Sequence, residues 1–265
     1  MRVWAVANQK GGVGKTTTAV NLAGLCANRG HRTLLIDMDP HGSLTSYFGF
    51  DPETISPSAY HLFGEQRREQ AEAAVRETQV ERLSILPAST ALATLDRQLG
   101  HRPGLGLVIR HTLQDLADRF DYALLDCPPM LGVLMVNALA ACDELLVPVQ
   151  TEFLALKGLE RMVNTLNMIQ RSRQSPLAWR IVPTMFDRRT RASVDSLEEL
   201  RASYGEQIWT AAIPIDTQFR EASREGLPLT VSQPWSRGSQ AYRRLLDDLL
   251  QEIAAPAEKG VENAH

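Results

Sequence analysis

The 265-residue sequence has only three cysteines, Cys26, Cys127 and Cys142, and none stands in a CxxC or mixed His/Cys ligand spacing. A disulfide framework and a thiolate zinc site are therefore excluded as organising devices, and reduced, buried thiols are the expectation. Lysine is scarce as well. Only four of the twenty-eight basic residues are lysines, yet Lys10 and Lys15 share one loop. Neither charge sign dominates: the formal charge is -3 and the pI about 6.1. This excludes a surface that is basic all over and confines any nucleic-acid binding to a patch. The chain does not open with a charged segment, an apolar stretch and a cleavage site, so export is not expected. The longest apolar stretch, Leu131 to Val149, is broken by Asp143 and Glu144 and is short for a membrane span, so the expectation is a soluble, cytoplasmic protein. There is no internal repeat and no low-complexity block.

What is present is a 44% hydrophobic content, enough for a substantial core within one domain. Short apolar runs at Arg2 to Ala7, Thr33 to Met38, Leu83 to Leu86, Tyr122 to Leu125, Glu144 to Val149, Arg180 to Met185 and Ile208 to Ile213 read as strands. Helical spacing marks Lys15 to Asn28, Leu105 to Arg119, Leu154 to Arg171, Ala192 to Tyr204 and Arg237 to Ile253. Strands apolar on both faces and separated by helices predict an α/β fold with a mainly parallel sheet, flanked by helices on both faces. Ligands of such sheets bind at the carboxyl ends of the strands. Phe50 to Glu81 reads as a peripheral helical excursion. Residues 1–253 are expected to form the domain and residues 254–265 a frayed tail.

The first strand runs into Gln9-Lys10-Gly11-Gly12-Val13-Gly14-Lys15-Thr16-Thr17, and a helix-forming run follows at once. Backbone N–H groups at a helix N-terminus suit an anion, glycines let the chain wrap it, Lys15 can reach β- and γ-phosphate oxygens and the Thr16 hydroxyl suits Mg²⁺. This is the context of a P-loop NTPase domain. A dinucleotide reading of Gly12-x-Gly14 is weaker, because Thr17 stands where the third glycine belongs. The usual pattern has glycine at the position of Gln9, and here a lysine follows it. With that departure the loop resembles the deviant Walker A loop of the ParA, Soj and MinD group of ATPases.

That resemblance implies a set of roles. ATP and Mg²⁺ would be the cofactors, held between two subunits of an ATP-dependent homodimer. Gly11, Gly12, Val13, Gly14, Lys15, Thr16 and Thr17 would cradle the phosphates, while Lys10 would reach across the interface to the partner's phosphates. Leu34-Leu35-Ile36-Asp37-Met38-Asp39-Pro40 resembles the family's Asp-x-Asp-Pro switch, so Asp39 would position or activate the attacking water and Asp37 would support the magnesium shell or the loop lysine. The family usually continues Gln-Gly-Asn, whereas this chain has His41-Gly42-Ser43. Tyr122 to Asp126, followed by Cys127-Pro128-Pro129, resembles the Walker B segment, with Asp126 holding Mg²⁺ through water alongside Thr16 and Asp37. Thr184, Met185, Pro214 and Asp216 resemble positions that line the base pocket.

The resemblance also frames what the switch would move. Family members bind DNA without sequence preference or, in the MinD branch, a membrane, and an adaptor protein stimulates hydrolysis. Tyr242 to Ile253 is amphipathic but acidic toward its end, so no membrane binding is expected. Arg188, Arg189, Arg191, Arg220 and Arg224 are the candidates for DNA phosphates. Partition ATPases usually read Ile-Pro-Arg-Asn-x-Arg in this region, and Ile215 and Gln218 replace those two arginines. The stretch from Asp39 to Gly49 is similar to ParC-type members that position chemoreceptor arrays. A weak, adaptor-stimulated Mg-dependent ATPase that positions a protein cargo, at a pole or on the nucleoid, is the expectation. DNA partition and a nucleotide-gated scaffold with negligible turnover are the alternatives.

Overall fold

Runs of β-branched and apolar residues become the centre of the molecule. The computed structural model describes residues 1–65, 67–95, 105–171 and 176–254. Its sheet contains β1 (Arg2–Val6), β2 (Thr33–Asp37), β3 (Arg76–Glu77), β4 (Leu83–Leu86), β5 (Tyr122–Asp126), β6 (Glu144–Gln150) and β7 (Ala178–Thr184), in the order β3-β4-β2-β5-β1-β6-β7. All neighbours are parallel except the two-residue edge strand β3, which runs antiparallel to β4. The expected α/β architecture is the observed one.

Alternation along each strand divides the core. Val3 and Ala5 face one layer while Trp4 and Val6 face the other, and all four are buried. Helices Lys15–Asn28 and Arg237–Ala254 cover the Trp4 side, where the Tyr242 hydroxyl meets that of Thr18 at 2.9 Å. Helices Val108–Asp115, Val133–Ala141, Phe153–Gln170 and Arg191–Tyr204 contribute to the other layer. Burial on both faces is what a parallel sheet requires, since its crossovers place helices on each side.

The structure departs from the sequence reading in four places. Ile208 to Ile213 is not a strand. The segment follows the edge of β7, but Trp209 N bonds Ile181 O and Ile213 N bonds Pro183 O, so four residues here span two on β7 and the ladder is broken by a bulge. Val133–Ala141 is a helix without an amphipathic stripe, because it is apolar nearly all round. Phe50 to Glu81 is helical in part, at Ala59–Phe63 and Arg67–Ala74, but it also supplies β3 and buries Ala59, Leu62, Ala71 and Ala74 in the core. Gln218–Glu225 adds a helix after the Ile213-Pro214 turn. The last helix runs to Ala254, and the rest of the expected tail, 255–265, lies outside the described residues.

Candidate functional site

The carboxyl ends of β1, β2 and β5 bring the sequence-predicted residues together. After β1 the chain forms the loop 8–14, with Asn8 anchored to Pro148 O (2.8 Å) and Gln9 to the Thr165 hydroxyl (2.7 Å). Gly14 takes φ 89°, a left-handed conformation that a side chain would strain, and the helix starts at Lys15. Lys15 is buried, and among the described residues its Nζ makes one hydrogen bond, to Lys10 O at 3.3 Å. Two of its three ammonium hydrogens therefore remain for an anion.

Three acids and a hydroxyl face this loop. Asp37 and Asp126 are register partners on β2 and β5. Thr16 donates to Asp126 Oδ2 at 2.6 Å, while Asp126 Oδ1 is buried with no hydrogen bond among the described residues. Asp37 is hydrogen-bonded on both oxygens by contrast: Oδ1 accepts from Asp39 N (3.0 Å), and Oδ2 accepts from both the backbone and the hydroxyl of Thr45 (2.8 and 2.7 Å). Burial pushes both carboxyls up, Asp126 to about 8 and Asp37 to about 6. For Asp126 the facing Asp37 charge adds to the rise; for Asp37 the Thr45 donors oppose it. Asp39 lies nearer solvent, with Oδ1 accepting from His41 N at 3.0 Å and lying 2.8 Å from His41 Nδ1.

A hard divalent cation fits this donor set. The orphaned Asp126 oxygen, the neighbouring Thr16 hydroxyl and a second carboxyl in register are oxygen donors for Mg²⁺, which binds by one or two carboxylates and completes its shell with water and phosphate oxygens. Among the described residues there is no cluster of three or more His, Cys, Asp or Glu that would hold a metal without such help.

Lys10 folds over the loop. Its Nζ pairs with Glu152 Oε1, its N–H donates to Asn8 Oδ1 at 3.0 Å, and its stem lies against Gly158. Around this mouth Met130, Leu131 and Phe153 are large apolar side chains left exposed.

The predicted base-pocket residues occupy two positions. Met185, Pro214 and Asp216 line a cleft of about 310 Å³ next to Gly14 and Thr17, with Ile213, Phe219 and Tyr242 as its apolar wall. Met185 holds φ 54°, an uncommon conformation for a residue with a side chain. Thr184 stands behind the loop, its hydroxyl donating to Val13 O at 2.9 Å. The Asp216 carboxylate accepts from Gln218 N and Gly238 N, 3.1 Å each, and so ties the turn to the last helix.

The arginine candidates are exposed, but three are committed: Arg189 pairs bidentately with Asp187 (2.9 and 2.8 Å), Arg191 with Asp195 (3.4 Å) and Arg224 with Glu221 (2.9 Å). Arg188 and Arg220 make no ion pair among the described residues. A cleft of about 320 Å³ holds Arg188 and Arg189 together with Arg237, which sequence reading missed because it opens a helix forty-eight positions later. Thr45 and Glu152 were missed for a similar reason. Glu152 belongs to no motif and Thr45 drew notice only within the Asp39 to Gly49 stretch, with no role of its own; the fold brings them to Lys10 and Asp37.

The family model AAA_31, an AAA domain, matches residues 1–179. The chain is 34% identical over 255 residues to sporulation initiation inhibitor protein Soj of Bacillus subtilis, covering 96% of this chain and 98% of that protein. It is 37% identical over 254 residues to chromosome partitioning protein ParA of Caulobacter vibrioides, covering 94% of each. Among solved structures, a Mycobacterium smegmatis protein described as cobyrinic acid a,c-diamide synthase, with a bound ATP analogue and magnesium, superposes with a TM-score of 0.83 at 33% identity over 96% of both chains. A substituted form of Cyanothece McdA in complex with ATP, at 20% identity and a TM-score of 0.84 over 95% of this chain and 96% of that one, shares the fold. A lysine-doubled phosphate loop on this sheet, facing paired acids, together with these relatives along almost the whole chain, shows that the protein belongs to the ParA/Soj family of P-loop ATPases.

Proposed function

We propose that this chain is an ATP-driven switch that forms a nucleotide-sandwich dimer and hydrolyses ATP to position or segregate an intracellular cargo. The observation that carries this reading is the meeting of Lys10, Lys15, Thr16, Asp37, Asp39 and Asp126 at one end of the sheet. ATP would lie with its phosphates on the loop 11–17 and its base in the cleft of Met185, Pro214 and Asp216. Mg²⁺, held by Thr16, Asp37 and Asp126, would supply charge neutralisation on the phosphate oxygens. Lys15 binds the phosphates from its own subunit. Asp39, with one carboxylate oxygen that accepts no hydrogen bond among the described residues, orients the attacking water. Lys10 leaves Glu152 to reach the partner's phosphates, which makes hydrolysis conditional on pairing. Exposed Met130, Leu131 and Phe153 give the mouth an apolar rim suited to a second copy.

The proposed cargo is a protein assembly such as a chemoreceptor array, reached through an adaptor that stimulates a weak basal activity in the cytoplasm. This rests on His41-Gly42-Ser43 and on Ile215 and Gln218 standing where partition members carry arginine. A second reading, partition of DNA, is favoured by the exposed Arg188, Arg189 and Arg237 around one cleft. Among the described residues no helix is long and apolar enough to cross a membrane.

Light scattering with ATP, together with a salt-titrated DNA shift on Asp39→Ala and Lys15→Ala, tests the reading. Asp39→Ala should accumulate an ATP-bound dimer and Lys15→Ala should stay monomeric. A wild type and Asp39→Ala that both ignore ATP would sink the switch. A trapped dimer that binds DNA would restore DNA partition over protein cargo.

A further inference from the structure

Position 41 is one of two places, with Ser43, where the switch segment departs from the pattern that the family usually shows, and the structure gives that departure a contact. Residues 39–42 form a closed turn in which Gly42 N donates to Asp39 O at 2.8 Å and Pro40 takes the second place. Gly42 has φ 62° and lies close against Pro52, since a Cβ there would sit 2.3 Å from Pro52 Cγ. His41 stands in the third place, its side chain largely exposed. Its backbone N–H donates to Asp39 Oδ1 at 3.0 Å and its ring Nδ1 lies 2.8 Å from the same oxygen. Against an ionised carboxylate, Nδ1 must carry the hydrogen and donate.

The two contacts differ in what they fix. A backbone donor to one oxygen leaves the carboxylate free to swing about its broad second torsion. A second donor from the solvent side restricts that swing and so sets where the other oxygen points. Among the described residues Asp39 Oδ2 accepts no hydrogen bond. The acid is 15% exposed and the histidine 79%, so the ring lies over the carboxylate as an outer cover.

We propose that His41 is a positioning residue for hydrolysis: its Nδ1–H locks the plane of the Asp39 carboxylate and thereby presents Oδ2 to the attacking water. The inference rests on the reading of Asp39 as the water-orienting acid. It accounts for a histidine in a turn that would close equally well around a side chain with no donor.

The test is steady-state ATP hydrolysis with Mg²⁺ by the full chain, comparing wild type with His41→Leu, His41→Ala, His41→Asn and Asp39→Asn, each also measured for ATP-analogue affinity and thermal melting. His41→Leu and His41→Ala should lower kcat about tenfold with KM unchanged, since misorientation costs rate rather than binding. His41→Asn, whose amide places an N–H near the position of Nδ1, should recover kcat to within about threefold of wild type. Wild-type kcat in both His41→Leu and His41→Ala, with Asp39→Asn inactive, overturns the role of His41 alone. Wild-type turnover by Asp39→Asn overturns the Asp39 reading on which it rests. A fall in His41→Asn equal to that in His41→Leu would also overturn the proposal, because the donor would then not be what matters.

Discussion

The two ends of one sheet treat buried acid in opposite ways. At the amino end, Glu144 of β6 lies between Arg2 (3.7 Å) and Arg180 (3.6 Å), and Arg180 also pairs with Glu252. Burial raises the Glu144 carboxyl, and both guanidinium groups pull it back. At the carboxyl end, Asp37 and Asp126 stand in register, with neutral Thr45 and Thr16 as their donors and Lys15 as the nearby cation acting on Asp126. The sheet thus pairs its buried acid with cations at one end, on β1, β6 and β7, and leaves the acids of β2 and β5 without such pairing at the other. A cationic ligand is what the second arrangement lacks, and a site of this kind is where function is found.

The comparison is broken most severely by removing Lys15, the lysine that acts on Asp126 at the carboxyl end. Lys15→Ala should lower kcat/KM for ATP by on the order of 10²- to 10³-fold in a phosphate-release assay, with the fold intact by circular dichroism. Next in size is the effect of pH on the ligand-free protein. Asp126 and Asp37 hold their protons to higher pH in the folded chain than in the unfolded one, so the native state binds more protons between about pH 4 and about 8. Stability is then greatest at the acid end of that window and falls as pH rises through the folded values, by on the order of a few kcal/mol. Thermal melts across the window should show this decline, and Asp126→Asn should flatten it while losing hydrolysis.

The amino end should behave in the reverse sense. Arg180→Ala strips a buried acid of one partner and should cost about 2–3 kcal/mol in urea unfolding while leaving turnover unchanged. If DNA is bound at all, Arg188→Ala with Arg237→Ala should reduce the salt slope of binding by roughly 2, one for each guanidinium taken away from a phosphate. The smallest effect is expected from Glu152→Gln. Its pair with Lys10 is half exposed, so stability should shift by no more than about 0.5 kcal/mol. The freed lysine should make ATP-dependent pairing severalfold tighter by light scattering.

Much of this was legible from the chain. The loop from Lys10 to Thr17 lies at a strand end because glycines and a following helical run leave it nowhere else to go, and Asp37 and Asp126 end strands whose apolar runs are unmistakable. The Ile208 to Ile213 segment misled because β-branched and apolar residues describe an edge-hugging bulge as well as a strand. Val133–Ala141 escaped because a helix that is apolar nearly all round carries no period. The partners of Asp37 and Lys10 were illegible for another reason. Thr45 holds Asp37 from eight residues away and Glu152 holds Lys10 from 142, distances at which only the fold decides contact.

The most direct test of the charge deficit is calorimetric. Titrating the full chain with a non-hydrolysable ATP analogue at pH 7, with and without Mg²⁺ and in two buffers of different ionisation enthalpy, counts the protons exchanged on binding. With Mg²⁺ the carboxyl pair should give up protons as the cation takes their place, so proton release should appear, and Asp126→Asn should diminish it. Binding of equal strength without Mg²⁺, and with no proton released in either case, would contradict a cation-deficient site at this end of the sheet.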